Sequence, residues 1–550
     1  MTRRKELKEN IMIQPPPVKA NAPCREACPA GVDVPRYIRH IREGDFERAH
    51  SVIRERIPFP AVCGFACTHP CESQCSRRQF DDPLAIRMLK RAAFEYGGVT
   101  GSSVTGIPRP TGKKVAVIGS GPCGLTTAYY LAGKGHRVTV FEALPCPGGM
   151  LRYGIPGYRL PKDVLDREIE TVTQKGVDIK TGIRVESASR LLDEGFDAVF
   201  AATGAWQGIK TRLVFDGTVS VLDGVPFLQE VNSGSPPATG EKVLVVGGGN
   251  SAIDTARTAV RLGAREVTVV YRRAREDMPA APEEVEGALE EGVKMVFQAA
   301  PVEIRDGQVI CLKMAPGEPD QSGRPRPVPV AGSEFSIKCD TLIMAIGQSA
   351  GAALISLEGN ADGTIKADPH TLATSLKGVF AGGDAVTGPS SIIQSIAQGR
   401  LAAASVDLFL GGDGIIDTNP AAAEGVPPLE APRGSLRPVI RTLPPNERRS
   451  GFATVEMGFD PETAAGEARR CLSCDMRDYK VEVNFFACKE CGYCREVCGA
   501  GVFDPSGSFN QAGYKPMTAA RTEKCVGCLM CLMICPDFAI TVEKTSTTTA

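Results

Sequence analysis

Apolar residues along this chain recur in two patterns that repeat each other. Residues 114–118 (KVAVI) form an apolar run of strand length, followed by the turn Gly119-x-Gly121-x2-Gly124. Apolar residues at helical spacing follow, then a second run at 138–141 that closes on Glu142. Residues 242–273 repeat the order, with the turn Gly247-x-Gly249-x2-Ala252 and a second run that leads into Tyr271, Arg272 and Arg273. Strand, glycine turn, helix and strand predict two parallel βαβ units. Cys311 and Cys339 lie in apolar, strand-like surroundings and read as core residues. Residues 413–445 are rich in Pro, Ala and Gly and read as an extended connector. A short helix follows, with Asp460 as its cap and Pro461 at its first position.

The glycines in each unit allow the sharp turn, the close approach of a pyrophosphate and helix-on-strand packing. The helix N-terminus then faces the phosphates. In the first unit Gly119, Gly121, Pro122 and Gly124 shape the turn, and Glu142 can accept from a ribose hydroxyl. In the second, Gly247, Gly249, Asn250, Ser251 and Ala252 shape it, and Arg272 and Arg273 stand close to where the acid stood. An acid suits a free 2′-hydroxyl and an arginine suits a 2′-phosphate. The first unit therefore reads as an FAD site and the second as a site for NAD(P)H, NADPH before NADH. A solvated strand end is the alternative reading of the two arginines.

Composition narrows the class. A chain of 550 residues predicts three to five domains. It is 43% hydrophobic and 23% charged, as a folded globular protein is. Lys plus Arg (63) nearly cancels Asp plus Glu (64), so no nucleic-acid partner is expected. No run of 18 apolar residues occurs and no membrane span is expected. The first residues lack an apolar core before Pro15, which argues against secretion and for a cytoplasmic site.

The twenty cysteines carry the remaining chemistry. Sixteen stand in the two ends of the chain. Cys488-x2-Cys491-x2-Cys494-x3-Cys498 is followed by Cys525-x2-Cys528-x2-Cys531-x3-Cys535-Pro536. This is the two-cluster bacterial ferredoxin pattern, in which the fourth cysteine of each run crosses to the other cluster. It assigns Cys488, Cys491, Cys494 and Cys535 to one [4Fe–4S] cubane, and Cys498, Cys525, Cys528 and Cys531 to a second. Structural zinc, the alternative, favours two separated CxxC pairs. One departure is that Gly499, not proline, follows Cys498. Near the start, Cys63, Cys67, Cys71 and Cys75 follow one another at three-residue gaps, after Cys24 and Cys28. Gly64 and Pro70 interrupt a long helix there, so a turn-rich cradle is predicted. These six cysteines do not fill two cubanes, and Cys471 and Cys474 are left over.

Cys24-x3-Cys28-Pro29 and EARRCLSC (467–474) resemble two halves of one motif of the glutamate synthase small-subunit family, which includes the N-terminal half of dihydropyrimidine dehydrogenase. Here the halves are separated along the chain. The resemblance implies that the C-terminal half returns to the N-terminal domain. It further implies that Cys24, Cys75, Cys471 and Cys474 hold one cubane, and Cys28, Cys67 and Cys71 another with Cys63 as fourth ligand. Four [4Fe–4S] clusters then use all sixteen cysteines. The alternatives for CLSC are an exposed thiol pair or completion by another chain. The resemblance also places flavin contacts at Gly149 and Met150, at Thr203 and Gly204, and at Gly383 and Asp384. Ser391 and Ile392 begin a helix aimed at the flavin's N1–C2=O edge, and Gly347 lies on a crossover between the two nucleotide units.

The expected fold is α/β with two Rossmann-like domains, the nucleotide domain inserted in the FAD domain. A helical iron–sulfur domain precedes them and a ferredoxin domain follows. The expected divisions begin with an arm (1–22) and the iron–sulfur domain (23–110). The FAD domain takes two segments, 111–215 and 346–412, on either side of the NAD(P) domain (216–345). A linker (413–470) and the ferredoxin domain (471–550) complete the chain. No side chain outside the cofactors is expected to perform bond chemistry, and no CxxC is placed to meet the flavin. Cys123, inside the first glycine turn, reads as packing. The expected activity is hydride exchange between NAD(P)H and FAD, with single electrons passed to or from a ferredoxin or the catalytic subunits of an oxidoreductase complex. A 2-oxoacid or aldehyde oxidoreductase, glutamate synthase and a non-catalytic electron wire are the rival settings.

Overall fold

The computed structural model describes residues 22–98, 109–209, 213–320, 323–417, 435–476, 479–525 and 527–544. Nearly all of the expected arm, the middle of the expected linker and the tail TSTTTA lie outside them.

Two parallel sheets form the centre. The first has the order Val379–Ala381, Ala198–Ala201, Lys114–Ile118, Arg137–Phe141, Asp178–Lys180. The second has the order Lys294–Phe297, Glu266–Tyr271, Lys242–Val246, Thr341–Met344, Ser220–Asp223. The edge strand Val379–Ala381 comes from beyond the second sheet in sequence, so one nucleotide-binding unit is inserted in the other. The two chain crossings pair as a short antiparallel ribbon, Gln207–Gly208 with Gln348–Ser349. A third sheet, built on the hairpin Ala299–Arg305 and Gln308–Pro319, packs on the inserted unit and buries Cys311 and Cys339.

The N-terminal domain is helical. Asp33 and Asp45 cap the helices Val34–Arg42 and Phe46–Arg54 by accepting from backbone N–H groups three residues on. Helix Pro60–Ala66 ends at Cys67, and the short helix Pro70–Ser73 follows after His69 in a left-handed conformation (φ 40°). This domain, the flavin-side sheet and the helix Pro461–Arg469 share one hydrophobic core.

Residues 435–459, within the expected linker, form a strap fitted against the body. Glu456 receives both guanidinium nitrogens of Arg87 at 2.6 and 2.7 Å, and Arg448 reaches Glu290 of the inserted unit at 2.6 Å. Its Pro-rich composition hides these anchors, because each is one side chain held by a distant partner.

Glu168 makes the tightest polar link between the helical domain and the flavin side. It lies on the apolar face of helix Lys162–Thr173 and accepts from Val62 N–H at 2.9 Å. Burial lifts its carboxyl from 4.5 to about 8, against the pull of the Val62 and Ala61 N–H groups. The folded protein therefore holds a proton there that the unfolded chain loses above about 4.5. This contribution to stability is full at low pH and is lost as pH rises through about 8. Glu168→Gln removes that dependence. Melting curves between pH 6 and 9 are expected to show a smaller decline for the variant than for the parent.

Candidate functional site

One continuous cleft of about 1130 Å³ receives both glycine turns. Gly119 has φ +101°, and a β-carbon there would stand 2.4 Å from Ala202 O. Gly247 repeats this at φ +151°, 2.2 Å from Ala345 O. Ala202 and Ala345 each follow a central strand, so in both units glycine keeps the turn low on the sheet and leaves the space above it for phosphates. Gly121, Pro122, Gly149, Met150, Thr203, Gly204, Gly383, Asp384, Ser391 and Ile392 line the flavin-side half of the cleft. Gly249, Asn250, Ser251, Arg272, Arg273 and Gly347 line the other half. Gly124 and Ala252 do not. They sit one turn into their helices and pack against Gly119 and Gly247.

Glu142 is buried at the end of its strand. One carboxylate oxygen accepts from Ser120 N–H (3.0 Å) and Oγ (2.5 Å), the other from Leu144 N–H (2.8 Å). The acid is thereby oriented by the turn whose ligand it would read. Asp384 accepts from Ser390 N–H and Oγ at 3.1 and 2.7 Å. The helix Ile392–Phe409 opens on the cleft with a full capping box between Ser391 and Gln394. Its positive end supplies the field that suits an anionic reduced flavin. The space, the dipole and the buried acid all fit FAD.

The two arginines of the second unit have separate roles. Arg273 is buried, donates to Pro325 O at 2.8 Å and pairs with Asp320 at 2.5 Å. Arg272 is exposed on the cleft. Both lie in the bend that follows the strand Glu266–Tyr271, and one arginine holds the third sheet while the other is left open to the cleft.

Sixteen cysteines fall into four groups. Burial, then Cys471, Cys474 and Cys75, raise the Cys24 thiol well above its ordinary value. Cys67, Cys63, Cys71 and Cys28 all face the ammonium of Lys90, which is only 4% exposed. Burial works to discharge Lys90, and these thiols outweigh it and hold it above the ordinary lysine value. Burial, then Cys488, Cys491 and Cys535, push Cys494 up to about 11. Burial, then Cys528, Cys525 and Cys498, push Cys531 up to about 12. Among the described residues no His, Cys, Asp or Glu group closes on a single metal ion. Cys498, Cys525, Cys528 and Cys531 line one cavity together. Soft donors in fours around a space suit cubanes.

The segment that carries Cys471 and Cys474 is held by a buried charge network. Arg470 pairs with Glu467 at 2.8 Å and Asp81 at 2.9 Å. Arg77 makes two 2.7 Å bonds to Asp81 and donates to Arg470 O at 3.0 Å. Glu467 accepts from Ala85 N–H at 2.7 Å.

Residues 113–399, half of the chain, match the model of the pyridine nucleotide-disulphide oxidoreductases. The chain belongs to that family. Its N-terminal region, 19–100, matches the dihydropyrimidine dehydrogenase domain II with a 4Fe-4S cluster. The chain is 42% identical over 497 residues to the NADP(+)-dependent formate dehydrogenase subunit beta of Moorella thermoacetica, covering 82% of this chain and 70% of that one. It is 39% identical over 509 residues to the NADPH-Fe(3+) oxidoreductase subunit beta of Geobacter sulfurreducens, covering 83% and 75%. The glutamate synthase [NADPH] small chain of Escherichia coli is 35% identical over 415 residues, covering 70% and 87%. As a member of the pyridine nucleotide-disulphide oxidoreductases, the chain is an NAD(P)H-dependent oxidoreductase that uses FAD. Its N-terminal domain carries a 4Fe-4S cluster. The family's disulphide has no counterpart on the cleft, where Cys123 is the one cysteine among the described residues. Among the described residues no helix is long and apolar enough to cross a membrane.

Sequence patterns missed Lys90, although the signal is present. It lies on one helix face with Ile86, Leu89 and Ala93, where a lysine needs a buried counter-charge. Also missed were Ala66 and Thr68, which flank Cys67 and line the cleft.

Arg470→Met leaves the carboxylate of Glu467, 0% exposed, without its partner. Breaking a buried pair in this way costs about 3–5 kcal/mol. Hydrogen exchange over 461–470 is expected to accelerate accordingly. The double variant with Glu467→Gln should regain most of the protection.

Proposed function

We propose that this chain is the pyridine-nucleotide-oxidising, electron-distributing subunit of a larger oxidoreductase complex, and that it carries four [4Fe–4S] clusters. Bound FAD would take the hydride pair from NADPH, and bound cubanes would move the electrons one at a time. Gly119, Gly121, Pro122 and Gly124 shape the flavin's pyrophosphate turn and Glu142 its ribose contact. Gly149, Met150, Thr203, Gly204, Gly383 and Asp384 wall the flavin, and Ser391 and Ile392 set the helix against it. Gly247, Gly249, Asn250 and Ser251 hold the nicotinamide cofactor, whose 2′-phosphate Arg272 reads, and Ala252 packs under the turn. Cys28, Cys63, Cys67 and Cys71 hold the cubane beside the cleft, and Cys24, Cys75, Cys471 and Cys474 the next. The remaining eight thiols belong to a ferredoxin domain over 471–550.

The observation that carries this reading is the lining of the cleft. Of all its residues, only Ala66 and Thr68 come from outside 113–399, and they bracket Cys67. The flavin's neighbour is thus a cluster loop. At the far end Cys491 is exposed, as are Phe486 and Phe538 of the same module. An exposed ligand beside exposed apolar groups suits delivery to another protein. The relatives named as beta subunits and as a small chain favour a catalytic partner subunit, and their names differ in the substrate that partner uses.

Arg272→Ala is expected to raise the KM for NADPH about 10- to 100-fold, the worth of a lost charge-assisted bond. The KM for NADH should change little, as anaerobic flavin bleaching would show. Lys90→Met is expected to make the cubane it faces harder to reduce, because a buried positive charge is removed beside an anionic cluster. A potentiometric titration followed by electron paramagnetic resonance reads this directly.

A further inference from the structure

Gly499 is the one place where the cysteine runs depart from the ferredoxin pattern, and the structure gives it a neighbour from the other end of the chain. A β-carbon on Gly499 would stand 2.2 Å from Gln79 Nε2 and 3.2 Å from Gln79 Cδ. Gly499 does not have a positive φ. The glycine is therefore not required by its own backbone. The space a side chain there would take is occupied by the Gln79 carboxamide.

Gln79 closes the one-turn helix Ser76–Gln79, which starts directly after Cys75. Ser76 lies 3.6 Å from the Cys474 sulfur. The side chain of Gln79 leaves this group of thiols and enters the wall of the cavity lined by Cys498, Cys525, Cys528 and Cys531. Its Oε1 is buried there with no hydrogen-bond partner among the described residues. The oxygen and nitrogen of a carboxamide are told apart only by their partners. A half-turn of the amide puts its N–H groups toward the enclosed space, where cluster sulfurs are acceptors.

We propose that Gln79 is the bridge between the two iron–sulfur modules, seated by Gly499 and hydrogen-bonded to the cubane held by Cys498, Cys525, Cys528 and Cys531. This rests on the cluster assignment proposed above. With both cubanes bound, the one on Cys24, Cys75, Cys471 and Cys474 would be oxidised by one electron and the one on Cys498, Cys525, Cys528 and Cys531 reduced by it. No bond and no proton moves. NADPH is the source of the electron. The same assignment makes the Cys498 group the entry to the ferredoxin module. Gln79 is a positioning residue that also sets potential, since N–H donors to cluster sulfur favour the reduced, more negative state.

The test uses the full-length chain, purified anaerobically. Gln79→Leu keeps the bulk and removes the amide. It is expected to lower the midpoint potential of one cubane so that its reduction is about tenfold less favourable, ~59 mV for a one-electron couple. An unchanged potential for all clusters in this variant would overturn the bridge. Gly499→Pro restores the usual ferredoxin residue and is expected to accelerate hydrogen exchange over 479–503. Adding Gln79→Ala to it should restore protection. If Gly499→Pro exchanges as the parent does, or if the double variant is no better than the single, the seating is wrong. Iron analysis separates this from the underlying assignment. A parent with well under roughly sixteen irons per chain contradicts the four-cubane reading, while the exchange experiment still decides the contact.

Discussion

The network of Arg77, Asp81, Glu467 and Arg470 is the constraint on which the rest of the electron route depends. Three of its members are almost wholly out of water, Arg77 at 1%, Arg470 at 2% and Glu467 at 0% exposure. Charges buried to this depth are tolerable only when each has its partner. The helix Pro461–Arg469 therefore either seats completely on the N-terminal domain or not at all. Its seating brings Cys471 and Cys474 to Cys24 and Cys75. A group of four thiols drawn from three distant stretches of the chain would otherwise rest on loops alone. The hydrophobic core continues the same join, with Phe459, Ala464 and Ala468 packed among residues of the helical domain.

Much of this was legible in the residues, for reasons that differ between elements. The glycine turns were legible because their constraint is local. Gly119 and Gly247 must pass within a carbonyl's reach of the neighbouring strand, and only glycine does so. That Cys498, Cys525, Cys528 and Cys531 come together on one cavity follows from the short, regular spacing within each run. The role of Arg272 against Arg273 was not. It depends on Asp320 and Pro325, some fifty residues on, which claim one arginine and leave the other. The strap was hidden for the same reason. Glu456 and Arg448 look like ordinary surface charges until Arg87 and Glu290 are brought to them. Nonlocal pairing of single side chains is what pattern reading lacks.

Charge placement inside the protein follows the thiols. Lys90 is only 4% exposed and faces four of them. A lysine there would be costly in an ordinary core. Facing thiolates it becomes the compensating charge, and the resulting site is nearly dry. Glu168, on the neighbouring helix, carries the opposite logic. It meets only backbone N–H groups and burial favours its neutral form. The domain thus keeps one charge at the thiols and suppresses another on the helix that pins the Cys67 loop.

The cleft itself shows how a family body built around a disulphide can serve a different acceptor. In a chain with a thiol pair against the flavin, the acceptor belongs to the same two nucleotide-binding units. Here Cys123 stands alone on the cleft and burial raises its thiol, which makes it a poor nucleophile. Ala66 and Thr68 line the cleft from outside those units, because the helix Pro60–Ala66 is pinned at its start by Glu168 and ends where Cys67 turns to the wall. The loop around Cys67 is therefore positioned by a carboxyl on the flavin domain itself. Its contact with the cleft then depends on that one helix keeping its register.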